Sequence, residues 1–265
     1  MPRGFSIDPD QGLSEADEAR LVRLAAELGY ASAWTPSGAD AAAFERCLRW
    51  HTVSGLPVGI SAVPASGQSP SFYAEEANRL WDATGGNFTL VVGSGQAEHP
   101  ARMMRTYLPD IRARLPEGMA LYLAALGPLM LRVAAEVADG VALNWCTAEQ
   151  VTWSRQRLSE AAKAVGRKLP PVIEYIRTAV DPDSDVAQRT VTGAAQRYAR
   201  IPAYRAHFER MGVVSVGAAG APGGTRTQFE QLAAGLDLPI VRVLVVNRGD
   251  AESAQRVLEE CRPAR

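Results

Sequence analysis

The sequence is poor in the residues that most readily mark a site. Its three cysteines, Cys47, Cys146 and Cys261, lie far apart and are odd in number. They form no disulfide framework and match no metal spacing, so reduced thiols in a cytoplasmic protein are expected. The three histidines, His51, His99 and His207, have no second histidine or carboxylate at ligand spacing, so no metal is expected. No apolar run reaches the roughly 18–20 residues of a membrane span, and no signal-like apolar stretch precedes the first strand. Neither sign of charge dominates: 28 Lys and Arg face 29 Asp and Glu. No basic block reads as a nucleic-acid footprint. A membrane and a nucleic acid are therefore not expected as partners.

What is present is rhythm. Short β-like runs alternate with helical patterns along all 265 residues. Strands are expected over Gly4–Ile7, Tyr30–Thr35, Pro57–Val63, Phe88–Val92, Ala120–Ala124, Gly140–Asn144, Val172–Ala179 and Ile240–Val246. Between them the apolar residues recur at helical spacing, as in Leu21, Leu24, Ala25 and Leu28. Ser14 with Asp17, and Thr147 with Gln150, read as helix starts. Pro202 is expected to break the helical stretch Val186–Met211. Strands separated by helices must be parallel, and their unbroken apolar runs fit burial on both faces. A barrel and an open doubly wound sheet both satisfy this. The even rhythm and the length favour an α/β, (β/α)8 TIM barrel as a single domain over 1–265.

In that fold the active site gathers at the carboxyl ends of the strands. Strand five ends Ala124-Ala125-Leu126-Gly127-Pro128, and a helix follows. Small residues admit a ligand close to the backbone, and the helix start offers amides to an anion. A plain glycine turn fits the same residues. Strand four ends Gly93-Ser94-Gly95-Gln96, a flexible donor-rich loop. It is no dinucleotide fingerprint, because Glu98 stands in place of the third glycine, and no Walker lysine follows. It also lacks the flanks of a hydrolase nucleophile elbow. Asn144 ends strand six with both donor and acceptor groups, and Trp145 beside it serves packing or an aromatic wall. Glu174 and Arg177 interrupt strand seven. Such charges need a partner or water, and Arg177 lies near the end where a ligand would bind; a salt bridge is the structural alternative.

Several of these segments together resemble the luciferase-like monooxygenase superfamily, which includes coenzyme F420-dependent reductases. They are Ala26–Trp34, Gly85–Gly95 and, most specifically, Leu121–Thr147 with its Ala-Ala-Leu-Gly-Pro and Ala138-Asp139-Gly140. The resemblance runs from residue 4 to about residue 250 and is weaker after Arg177. It implies an oxidoreductase that binds a flavin or deazaflavin. The ring is implied to lie against a bulge with a non-prolyl cis peptide around Ser61, Ala62 and Val63. The phosphate tail is implied near Gly93, Ser94 and Gly95 and near Ala125, Leu126 and Gly127. With Ala124, Asn144 and Arg177 these make up the expected cofactor site.

Two departures stand out. Many deazaflavin-dependent members carry an Asp-His pair after strand two, where this chain has Thr35-Pro36-Ser37-Gly38; no catalytic residue is assigned. The connection from strand four to strand five, Gln96 to Met119, is short. The leading expectation is F420-dependent hydride transfer to or from a small organic substrate. A basic rim of Arg102, Arg105 and Arg177 would suit the acidic deazaflavin tail. Alternatives are an FMN monooxygenase supplied by a partner reductase, and a silent flavin- or deazaflavin-binding protein. A barrel hydrolase or isomerase lacks any His/carboxylate constellation. The family also makes a homodimer a natural assembly.

Overall fold

The computed structural model describes residues 2–264. In chain order the first half runs β1 (Gly4–Ser6), α1 (Glu15–Glu27), β2 (Ser32–Thr35), α2 (Ala42–Ser54), β3 (Val58–Pro64), α3 (Pro70–Ala83) and β4 (Phe88–Gly93). Next come α4 (Pro100–Arg112), β5 (Ala120–Ala124), α5 (Pro128–Val137), β6 (Gly140–Asn144), α6 (Ala148–Ala164) and β7 (Val172–Val180). The chain closes with α7 (Ser184–Tyr198), α8 (Pro202–Met211), β8 (Ala218–Gly220), α9 (Thr225–Leu232), β9 (Leu238–Val243) and α10 (Ala251–Glu260). This alternation of parallel strands and helices is the (β/α)8 barrel class of fold, with one helix, α4, in the shortened connection between β4 and β5.

The residues form two compact units. One runs from Ser32 to Ala142 and takes in Ser154–Ile173. Its strands lie in the order β6-β5-β4-β3-β2, all parallel. Ile60, Leu90, Leu121, Leu123 and Val141 are fully buried along them, each worth about 1.5–3 kcal/mol of hydrophobic stabilisation. Ser69 caps α3 by accepting the Phe72 amide at 3.2 Å, and Pro70 fills the first helical position.

The other unit comprises the chain up to Ala31, Leu143–Trp153 and the chain from Glu174 onward. Its strands lie in the order β1-β9-β7-β8. Gly4, Phe5 and Ser6 pair with Ile240, Val241 and Arg242. Phe5 meets Tyr30 edge to face, and the Tyr30 hydroxyl donates to the Leu258 carbonyl at 2.9 Å. A second cluster joins Trp145, Val191, Ala195, Phe208 and Leu244. Ser14 caps α1 as expected, accepting the Asp17 amide at 3.1 Å. The break at Pro202 is present and separates α7 from α8. The short strand β8, which pairs in parallel with β7 from Thr178↔Ala218 to Val180↔Gly220, has no periodic signature in the sequence. Three residues are too few to show one.

Candidate active site

At the carboxyl ends of β3, β4 and β5, Ala62, Gly93 and Ala124 lie side by side as a floor with no side chain larger than a methyl group. The Ser61–Ala62 peptide is cis, and the register of β3 against β4 shifts between Ser61 and Val63. This is the bulge that the resemblance implied. A methyl group added to Gly93 would lie 3.5 Å from the Ala62 methyl and 3.6 Å from that of Ala124. The Gly93 carbonyl accepts the Ala65 amide at 2.8 Å, which fixes the loop after β3. Gly95 has φ +63°, a conformation that favours glycine, and a side chain there would strike Ser66. The Ser94 hydroxyl turns back toward the Gly95 carbonyl at 3.4 Å.

Ala125 continues from β5, its amide donating to the Ala142 carbonyl at 3.0 Å, and is buried. Leu126 and Gly127 then lead into α5. Gly127 is its N-cap, Pro128 its first residue, and no side chain caps the first turn. Such an end favours an anion. A Cβ on Gly127 would meet nothing within 4 Å. Asp139, in the Ala-Asp-Gly motif of the resemblance, is structural: it pairs with Arg112 and accepts the Leu121 amide at 2.9 Å, so it secures the start of β5.

Asn144 and Arg177 belong to the other unit, and they are joined. Arg177 Nη1 donates to Asn144 Oδ1, and Asn144 Nδ2 donates to the Tyr204 hydroxyl at 2.7 Å. Both amide atoms of Asn144 are thus engaged within the protein. The Arg177 guanidinium lies 3.9 Å from the Trp145 ring centre and 4.9 Å from that of Tyr198. Arg177 makes no salt bridge to a neighbouring element among the described residues; its guanidinium is held by the Asn144 amide, by two rings and by the Tyr175 carbonyl, which accepts from Nη1 at 3.2 Å. Burial, then Arg242, lowers its pKa to about 10, so it stays charged at neutral pH. Trp145 sits in the left-handed region at φ 59°, costly for a bulky residue, and is itself buried.

Glu174, the other charge in β7, accepts the Cys146 amide at 2.6 Å through Oε1. Burial pushes its pKa up to about 8, against smaller opposing effects of that hydrogen bond and of Arg177. It is a neutral carboxylic acid at pH 7. Cys146 lies 3.7 Å from His207 Nε2, but burial, then Glu174, drives its thiol well above the ordinary range. A buried thiol of that kind is no nucleophile, and the hydrolase alternative gains nothing here.

Sequence reasoning missed Asp8, Tyr198 and Arg242. Arg242 clasps Asp8 with contacts of 2.9, 3.0 and 2.6 Å, both nearly buried. Its signal was the same as that of Arg177: a charge inside the apolar run Ile240-Val241-Arg242-Val243. After β2, no proton donor emerges. The Thr35 hydroxyl donates to the Pro36 carbonyl at 3.1 Å and that of Ser37 to the Gly38 carbonyl at 2.8 Å. The expected basic rim is weakened, because Arg105 is taken up by Glu136 at 2.7 and 3.1 Å. Among the described residues no helix is long and apolar enough to cross a membrane.

Glycine and alanine at the strand ends of a parallel barrel leave the backbone open to a ligand. The profile of the luciferase-like monooxygenase family matches residues 119–257, more than half of the sequence, and the chain belongs to that family. A 5,10-methylenetetrahydromethanopterin reductase of Methanopyrus kandleri is 33% identical over 97 residues, which are 35% of this chain and 28% of that protein. The structure of coenzyme F420-dependent tetrahydromethanopterin reductase from the same organism superposes with a TM-score of 0.74 at 17% identity, covering 98% of each chain. The oxygenating constituent of 3,6-diketocamphane monooxygenase from Pseudomonas putida, in complex with FMN, gives 0.67 at 13% identity, covering 99% of this chain and 98% of the other. The two structural likenesses are of fold.

Proposed function

We propose that this enzyme transfers a hydride between coenzyme F420 and a small organic substrate, as a single-domain cytoplasmic oxidoreductase. The observation that carries the reading is the floor formed by Ala62, Gly93 and Ala124, where no side chain larger than a methyl group stands. The residues fit such a group. Ser61, Ala62 and Val63 would support the ring. Gly93, Ser94 and Gly95, with Ala125, Leu126 and Gly127 at the uncapped start of α5, would hold the phosphate. Asn144 enters the proposal as the residue that positions Arg177. When bound, the cofactor supplies the hydride chemistry; the protein binds and orients it. The likeness to the coenzyme F420-dependent reductase of Methanopyrus kandleri favours the deazaflavin.

FMN is the second reading, favoured by the fold likeness to the FMN-bound monooxygenase; a partner reductase would then supply reduced FMN. The tied hydroxyls of Thr35 and Ser37 favour a third, a silent cofactor-binding protein. Fluorescence titration with F420 and with FMN tests all three. Tight binding of F420 with turnover of an alcohol, aldehyde, quinone or enone supports the proposal. Preference for FMN with oxygen uptake supports the second reading, and binding without turnover the third. Binding of neither cofactor at tens of micromolar overturns them all.

A further inference from the structure

A cleft of about 440 Å³ opens at the carboxyl ends of β1 and β9, walled by α7. Five arginines and two aspartates line it. Asp8 is consumed by Arg242, and Arg248 reaches the Asp10 backbone carbonyl at 3.0 Å. Arg177, Arg189 and Arg197 have no carboxylate partner among the described residues. Arg177 is 1% exposed, and its Nη2 has no hydrogen-bond partner among the described residues. An unused guanidinium N–H held in a buried place costs free energy unless something accepts from it. Its plane is already fixed between Trp145 and Tyr198, so little freedom is left to lose on binding. Burial raises the pKa of the Tyr198 hydroxyl, yet Arg242 and Arg177 outweigh burial and bring it below its ordinary value. The two guanidinium groups therefore favour negative charge at this place.

We propose that this cleft binds the oxyanion group, carboxylate or phosphate, of a small anionic substrate, with Arg177 as the buried ligand and Arg189 and Arg197 at its exposed rim. The substrate role rests on the oxidoreductase reading above; the anion site itself does not. Guanidinium forks match such groups with paired, charge-assisted hydrogen bonds. The exposed Asp10 carboxylate on the same wall limits the net charge and disfavours polyanions.

The test is calorimetric titration of the full chain, free of cofactor and at low salt, with inorganic phosphate and with succinate. Binding of at least one anion with a Kd below about 10 mM is expected. Arg197→Ala, at an exposed position, and Arg177→Lys, which keeps the charge but not the fork, should each weaken it about tenfold. Arg114→Ala, remote in sequence and paired with Asp110, should leave it unchanged. The response to phosphate against succinate tells which oxyanion is preferred. Absence of binding by either anion, or binding that Arg197→Ala and Arg189→Ala leave untouched, overturns the site. If Arg197→Ala weakens F420 binding as much as anion binding, the cleft holds the cofactor's own acid and the substrate assignment falls. If neither cofactor binds but phosphate does, the oxidoreductase reading fails and the anion site stands.

Discussion

The two units solve opposite problems at their strand ends. Around Ala62, Gly93 and Ala124 the chain reduces its side chains to methyl groups or none. Around Arg177 and Arg242 it buries long, charged side chains and holds them with rings, an amide and an aspartate. A floor of methyl groups and backbone carries no charge to desolvate. A buried guanidinium is costly in desolvation and repays it only when its hydrogen bonds are used.

The largest effect that sharpens the contrast is expected at the charged end. Asp8→Asn leaves Arg242 buried without its carboxylate and should cost about 3–5 kcal/mol, read as a fall in the urea midpoint. At the side-chain-free end, Gly93→Ala should be tolerated, because its methyl meets neighbours at ordinary contact distance. Gly93→Val should fold but lower cofactor affinity at least about tenfold, since it fills the floor. Equal affinity in the valine variant would remove the floor from the cofactor proposal.

Glu174 supplies a pH dependence. Its folded pKa of about 8 lies above the ordinary carboxylate value. Between those two values the unfolded chain has lost the proton and the folded chain keeps it. Unfolding then releases a proton, so stability falls as pH rises through that window and levels off above it. Glu174→Gln should flatten the slope, gaining on the wild type by up to a few kcal/mol between about pH 5 and pH 8.5 in denaturation curves. The smallest effect is expected at the exposed Arg105–Glu136 pair, where Arg105→Ala should change stability by less than about 1 kcal/mol.

Much of the fold was legible because its code is local. Ala120–Ala124 and Gly140–Asn144 have the bounds read from the sequence, and Ser14, Ser69-Pro70 and Pro202 mark helix ends where their chemistry requires. The three-residue β8 was not legible, since only its pairing with β7 defines it. At the site, Gly93 and Gly127 announced themselves as glycines at strand and helix ends. Arg177 drew notice as a charge in an apolar strand. Its partners did not, because Tyr198 and Tyr204 come from later helices whose own patterns carry no trace of the contact.

By itself the sequence determined the alternation of strands and helices, their parallel direction and the positions where side chains are missing. These follow from periodicity, capping and glycine, all of which act within a few residues. Only the tertiary structure decided which charges are neutralised and which are left with hydrogen bonds to give. Asp8 and Arg242 are far apart in the chain and meet where the loop after β1 passes β9. Whether Arg105 faces a ligand or a glutamate is likewise set by packing between helices. Charge acts through space, and the sequence records only its order along the chain.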